Sequence, residues 1–200
     1  MLTLVIATKN KGKIKELNQI LKDLPIKLKS LDEFENIAEV AETGETFAEN
    51  AKLKAESYAV QTGFWSLADD SGLEVEALNN APGVFSARYA GENSDDEKNV
   101  NKLLDELDKT NNINRYARFV CVIAIANEKG KTQYIAKGIC NGRIAEKPFG
   151  TNGFGYDPLF IPDGFEKTFG ELSGDIKQKI SHRAIALKKI IDFFNVNTAS

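Results

Sequence analysis

The chain has 200 residues, 42% of them hydrophobic, with 29 acidic side chains against 26 basic ones. That length suits one domain or two intimate lobes, able to bury roughly 70% of the unfolded-state surface. A charged fraction of 28% without low-complexity tracts argues against disorder, and a net charge of −3 offers no basic footprint for a nucleic acid.

In chain order, Leu2 to Thr8 (LTLVIAT) is a compact β-branched run and predicts a buried strand. The polar turn Asn10-Lys11-Gly12-Lys13 follows. Ile14, Leu17 and Leu21 then recur at i, i+3, i+7, predicting an amphipathic helix that ends before Pro25. A second helix is expected from about Glu45 to Gln61, with Phe47, Ala51, Ala55 and Tyr58 on one face and Gly63 as its stop. Phe64 to Ala68 reads as a strand whose end carries Asp69-Asp70-Ser71-Gly72. A third helix is expected from Ser94, where Ser94 and Glu97 form a capping-box pattern ahead of Val100, Leu103, Leu104 and Leu107. Arg118 to Ala126 and Gln133 to Ile139 predict two strands paired around the turn Glu128-Lys129-Gly130-Lys131. After a Gly- and Pro-rich stretch from Pro148 to Gly164, a closing helix is expected from about Ser181. Leu187, Ile190, Ile191 and Phe194 form its stripe. No repeat or linker divides the chain, so residues 1–200 read as a single α/β domain around a mixed sheet.

Several chemistries are excluded by what is scarce. Cys121 and Cys140 lie 19 positions apart without a CxxC, which supports neither a disulfide framework nor a cysteine zinc site. The single histidine, His182, excludes metal sites that need two imidazoles. The opening apolar run is too short for a signal peptide, and no apolar stretch reaches spanning length. The expectation is a cytoplasmic protein with neither membrane nor nucleic-acid partner.

Five segments carry candidate chemistry, each with a plainer alternative. Thr8, Lys9, Asn10, Lys11, Gly12 and Lys13 open a helix, where free backbone N–H groups and lysines attract phosphate, though the same residues suit a solvated turn. They are not a Walker A loop, which needs GxxxxGK[ST]. Lys54 falls on the inward side of its helix beside Asn50 and Phe47, so it snorkels, pairs with an anion or shifts its pKa. Asp69 and Asp70 point to opposite faces if they share a strand, so one is better placed than both to face a pocket. A carboxylate there suits Mg²⁺, with Glu42 a possible second ligand; a functionless Asp-Ser-Gly turn is the alternative. The run Asp95-Asp96-Glu97 is assigned to capping its helix rather than to metal. Gly153-Phe154-Gly155-Tyr156-Asp157-Pro158 could bring an aromatic against a base, or make a tight turn. Ser181-His182-Arg183, with Lys177 upstream, starts the last helix. Arg183 could read the O6 and N7 acceptors of a 6-oxopurine, while a lone histidine is usually structural.

Taken together these segments resemble the inosine triphosphate pyrophosphatase family. The matching residues are Thr8 to Lys13, Glu42-Thr43-Gly44, Thr46 to Ala51, Lys54-Ala55 and Ala68 to Leu73. Pro82-Gly83, Ser86 to Gly91, Gly153 to Pro158 and Ser181 to Arg183 continue the match in the family's order over nearly the whole chain. Gly170 departs from the family's usual alanine. The resemblance implies an elongated mixed central sheet flanked by helices, with two lobes and a substrate cleft between them, the Maf- and Ham-type fold. It implies Mg²⁺-dependent hydrolysis of inosine, deoxyinosine and xanthosine triphosphates to the monophosphate and pyrophosphate, by a homodimer. On that analogy Thr8 to Lys13 bind the triphosphate and Glu42 and Asp70 hold the metal. Asp70 also accepts the proton of the attacking water, Ser71 touches substrate, and Lys54 offsets phosphate charge. Phe154, Gly155, Tyr156, Asp157, Lys177, His182 and Arg183 form the base pocket. Two alternatives are a Maf-type pyrophosphatase for modified pyrimidine or methylated guanine nucleotides, and a nucleotide sensor without turnover.

Overall fold

The computed structural model describes residues 1–110 and 113–198. Its six strands run in the order β2-β1-β3-β4-β5-β6. They are β1 (Thr3–Ile6), β2 (Lys27–Ser30), β3 (Trp65–Val75), β4 (Tyr116–Ala126), β5 (Thr132–Ile144) and β6 (Phe160–Pro162). β1 pairs in parallel with both β2 and β3, whereas β5 and β6 are antiparallel. The sheet is therefore mixed, as expected. The helices are α1 (Lys11–Leu21), α2 (Phe47–Thr62), α3 (Asp96–Lys109), α4 (Gly174–Ile180) and α5 (His182–Thr198). Among the described residues no helix is long and apolar enough to cross a membrane.

The chain divides into two compact units that interleave along the sequence, with β3, β4 and β5 each contributing to both. Unit 1 comprises residues 1–70, 121–138 and 183–200. Its core joins Leu4 and Ile6 of β1, Leu17 and Leu21 of α1, and Leu67 of β3. Ile123 and Ile125 of β4 and Leu187, Ile190 and Phe194 of α5 complete it. The stripes predicted for α1 and α5 thus meet over the same strands, and burying each such side chain stabilises the fold by about 1.5–3 kcal/mol. Unit 2 comprises residues 71–120 and 139–182, around Leu73, Leu103, Phe119, Phe160 and Phe169.

Local chemistry explains the helix limits. Thr46 caps α2 by accepting from the Glu49 amide at 3.2 Å, while Glu49 accepts from the Thr46 amide at 3.0 Å. At the other end Gly63 adopts φ 71° and ψ 15° and donates its amide to Ala59. An added Cβ there would meet no atom within 4 Å, so a Gly63→Ala change is penalised by backbone conformation alone. We expect it to lower the free energy of urea unfolding by about 1 kcal/mol at unchanged m-value. No loss of stability would count against the left-handed cap.

Two expectations are corrected. β3 does not stop at Ala68: it runs through Asp69-Asp70-Ser71-Gly72 to Val75, because Leu73 and Val75 are buried in the core of unit 2. The cap of α3 is Asp95, whose side chain accepts from the Lys98 amide, and the Ser94 hydroxyl instead donates to Gly91 O and Asn99 Oδ1. The closing helix α5 starts at His182, as expected from about Ser181, and the short helix α4, which the sequence reading did not include, ends at Ile180 just ahead of it with Ser181 extended between them.

Candidate active site

The first turn of α1 is built by its own side chains. The Asn10 amide donates to Thr8 Oγ1 at 3.2 Å, and Asn10 Oδ1 accepts from the Lys13 amide at 3.0 Å. No acidic side chain occupies that turn, so the helix N-terminus keeps its positive end uncompensated from within. Lys9, Asn10 and Lys11 are exposed, while Thr8, Gly12 and Lys13 are half-buried. Lys9 lies 3.6 Å from Glu39 across a solvent-exposed ion pair.

Strand alternation then separates the two aspartates of β3. Asp69 is buried with Lys13 Nζ at 3.1 Å and Arg183 Nη2 at 3.3 Å, all on Oδ2. Arg183, 1% exposed, also pairs with Glu16 of α1 through Nη1. Burial alone would raise the Asp69 carboxyl, but Lys13, Arg183 and Lys54 together hold it well below the usual carboxylate range. The chain Lys13–Asp69–Arg183–Glu16 therefore ties α1, β3 and the start of α5 within unit 1.

Asp70 faces α2. Lys54 Nζ lies 2.8 Å from Glu42 Oε1 and 3.5 Å from Asp70 Oδ1. Lys54 is thus an inward lysine that pairs, not one that snorkels. Burial works against its charge, yet Asp70, Asp69 and Glu42 outweigh burial and raise its pKa. Asp70 is the converse: burial raises its carboxyl, Glu42 and Asp69 add to that, and the opposing pull of Lys54 does not cancel it. Its Oδ2 is buried without a hydrogen-bond partner among the described residues. The loop holding Glu42 is pinned by Asn50, whose Oδ1 accepts the Gly44 amide at 2.8 Å. A Cβ on Gly44 would come within 2.8 Å of that oxygen, so the close approach requires glycine.

Unit 2 gathers a different set. Lys177 Nζ lies 2.6 Å from Asp157 Oδ2 and 4.7 Å from the centroid of the Phe154 ring. The same Asp157 oxygen accepts the Phe154 amide at 2.8 Å. Gly153, at φ 80°, sits against this carboxylate, and a Cβ there would overlap Asp157 Oδ2 at 1.9 Å. The Tyr156 hydroxyl donates to Ser86 O at 2.9 Å. His182 is buried and stacks on Phe119 at 4.7 Å with planes 13° apart. Ser71, the first residue of this unit, is half-buried on β3. Gly170 packs where a Cβ would meet Phe149 O at 2.5 Å, so the departure from alanine suits the close backbone at this point.

Of the residues singled out from sequence, Lys13, Glu42, Lys54, Asp70 and Arg183 are thus engaged in the ion pairs of unit 1. Phe154, Tyr156, Asp157, Lys177 and His182 are packed in unit 2. Glu16, Asn50 and the structural partnership of Asp69 escaped the sequence reading. The signal for Glu16 was its place one turn after Lys13 on α1, and for Asn50 its place one turn before Lys54 on α2. Cys121 and Cys140 are free and buried, and burial pushes both thiols up to about 12, which leaves them protonated at neutral pH.

Comparison with known proteins adds a second line. The dITP/XTP pyrophosphatase of Bacillus anthracis is 49% identical over 191 residues, 95% of each chain. That of Coxiella burnetii is 46% identical over 95% of each chain. Among solved structures, a HAM1 protein from Coxiella burnetii aligns over 100% of both chains with a TM-score of 0.90 and 44% identity. The Staphylococcus aureus Ham1 protein aligns with a TM-score of 0.87 and 44% identity, covering 98% of this chain and 99% of its own. A family model described as the Ham1 family matches residues 4–193, and the chain belongs to that family.

Proposed function

We propose that this protein hydrolyses nonstandard purine nucleoside triphosphates, namely ITP, dITP and XTP, to the monophosphate and pyrophosphate. The observation that carries this reading is the near-full-length identity to relatives named dITP/XTP pyrophosphatase. The Lys54–Glu42–Asp70 cluster is consistent with it, because Lys54 and Asp70 are buried charged groups, joined by half-buried Glu42 from the loop before α2, and such burial is costly unless used.

In this reading Thr8, Lys9, Asn10, Lys11, Gly12 and Lys13 bind the triphosphate through backbone N–H groups and lysine charge. Glu42 and Asp70 fit a divalent cation: both offer hard oxygen, and Asp70 Oδ2 is a buried acceptor with no hydrogen bond among the described residues. Mg²⁺ held there with the substrate would offset phosphate charge and make a water more acidic. Asp70 accepts the proton as the water oxygen bonds to the α-phosphorus and the bridging oxygen leaves with pyrophosphate. A cation held there would keep that carboxylate ionised and able to accept a proton. Lys54 supplies positive charge to the reacting phosphates, and Ser71 contacts substrate. Phe154, Gly155, Tyr156 and Asp157, with Lys177, His182 and Arg183, handle the base. Residues 1–200 act as one domain, and the enzyme works in the cytoplasm as a homodimer, a state that light scattering would check.

The test is pyrophosphate release from ITP, dITP, XTP, ATP and GTP, with Mg²⁺ and with chelator. We expect turnover of the three nonstandard substrates to exceed that of ATP and GTP, and to cease on chelation. Comparable rates on ATP and ITP would remove the base-selectivity part of the reading. No turnover on any of them would leave a nucleotide-binding sensor.

A further inference from the structure

The acidic run at the start of α3 divides its work. Asp95 is the cap: its Oδ1 accepts the Lys98 amide at 2.8 Å, and Lys98 Nζ lies 3.3 Å from its Oδ2. Asp96, the first residue of the helix, does something different. Its Oδ2 accepts the amide of Gly155 at 2.6 Å, a contact across 59 positions of sequence within unit 2. An anionic acceptor at that distance makes a charge-assisted hydrogen bond, among the stronger kinds available to a backbone amide.

Gly155 is a residue whose placement matters. It adopts φ +62°, and a Cβ there would meet nothing within 4 Å, so it contributes backbone shape rather than contact. Its neighbours are held from other directions. The Phe154 amide is bound to Asp157 Oδ2, the Tyr156 hydroxyl to Ser86 O, and Asp157 O accepts from Gly170 at 2.9 Å. The ring of Phe154 meanwhile lies against Lys177. The left-handed turn between Phe154 and Tyr156 thus depends on an acceptor brought to it by α3.

We propose that Asp96 is a positioning residue for the segment Phe154–Asp157: by accepting the Gly155 amide it fixes the turn that sets Phe154 against Lys177. This rests on the reading of that segment as base-handling. In this role Asp96 works indirectly. It acts through the backbone of Gly155, and a role confined to the α3 dipole would make Asp95 and Asp96 interchangeable in their effects.

The test compares Asp96→Ala, Asp96→Asn and Asp95→Ala in the full chain. Four quantities are measured: KM and kcat for ITP with Mg²⁺, amide hydrogen exchange at residues 154–156 without ligand, and the unfolding midpoint. Asp96→Ala should speed Gly155 exchange and raise KM for ITP roughly fivefold to tenfold with kcat within about twofold, the pattern of lost positioning for binding. Asp96→Asn keeps an acceptor oxygen and should recover most of the loss. Asp95→Ala should lower the midpoint while leaving KM and Gly155 exchange as they were. Unchanged exchange in Asp96→Ala overturns the clasp itself. Faster exchange with unchanged KM keeps the clasp but overturns its role in base handling. Equal shifts of KM in Asp95→Ala and Asp96→Ala reduce both residues to helix capping and also overturn the proposal.

Discussion

Asp70→Asn is expected to cut pyrophosphate release from ITP by roughly a thousandfold at saturating substrate, the scale of losing a general base. Asparagine keeps the shape of the side chain and one acceptor oxygen, but it cannot take a proton from water. The stability of the same variant should move the other way or not at all. Burial disfavours the charged form of Asp70, so its pKa is raised and folding works against that charge. Replacing it with a neutral isostere relieves the penalty, and Lys54 keeps its 2.8 Å partner in Glu42. The expected signature is therefore an inactive protein with an unfolding midpoint at or above that of the parent, the usual mark of charge retained for function. Wild-type turnover in Asp70→Asn would sink the assignment of the base. A sharp fall in midpoint would show instead that the carboxylate serves the fold.

How much of this was legible in the sequence follows from which forces were local. β1, α1, α2 and α5 announce themselves through apolar periodicity, and Thr46 and Gly63 mark the ends of α2 through short-range hydrogen bonds. Lys27–Ser30 was not read as a strand, because an edge strand carrying two lysines in four residues lacks a continuous apolar face. The reading of Asp69 to Gly72 as a strand end had a sound local basis, since Asp and Gly are depleted in strands. Tertiary context overrode it: Lys13 and Arg183 on one face and Lys54 on the other compensate carboxylates that propensity would have expelled. The candidate site residues were singled out through motif resemblance and through the inward placement of Lys54. Their supporting partners were not, because Glu16 meets Arg183 across 167 positions and Asp96 meets Gly155 across 59. No window of sequence contains both members of such a pair.

Asp69→Asn, one residue from the catalytic candidate, should have the opposite balance of effects. We expect it to destabilise the protein by about 3 kcal/mol, in the range for removing one partner from a buried ion pair. The carboxylate is buried, and its charge is balanced by Lys13 and Arg183. An amide in its place takes from Arg183, 1% exposed, the Asp69 charge and keeps its pairing with Glu16. The amide nitrogen would also put a donor beside one or both cations. Lys13, half-buried, can swing toward solvent, so the larger share of the loss falls on Arg183. Urea denaturation followed by circular dichroism reads the change as a lower midpoint at unchanged m-value. A loss below about 1 kcal/mol would mean that Glu16 alone suffices to hold Arg183, within the range of ordinary surface pairs. Kinetics separates this residue further from Asp70. At a temperature where the variant is still folded, the base at Asp70 is intact, so kcat should fall far less than in Asp70→Asn. KM should rise, because Lys13 is no longer anchored at the start of α1. Two adjacent aspartates on one strand thus divide between the faces of the sheet, one held ionised by Lys13 and Arg183 to support the fold, the other set beside Lys54 and assigned in the proposed reading to take the proton from water.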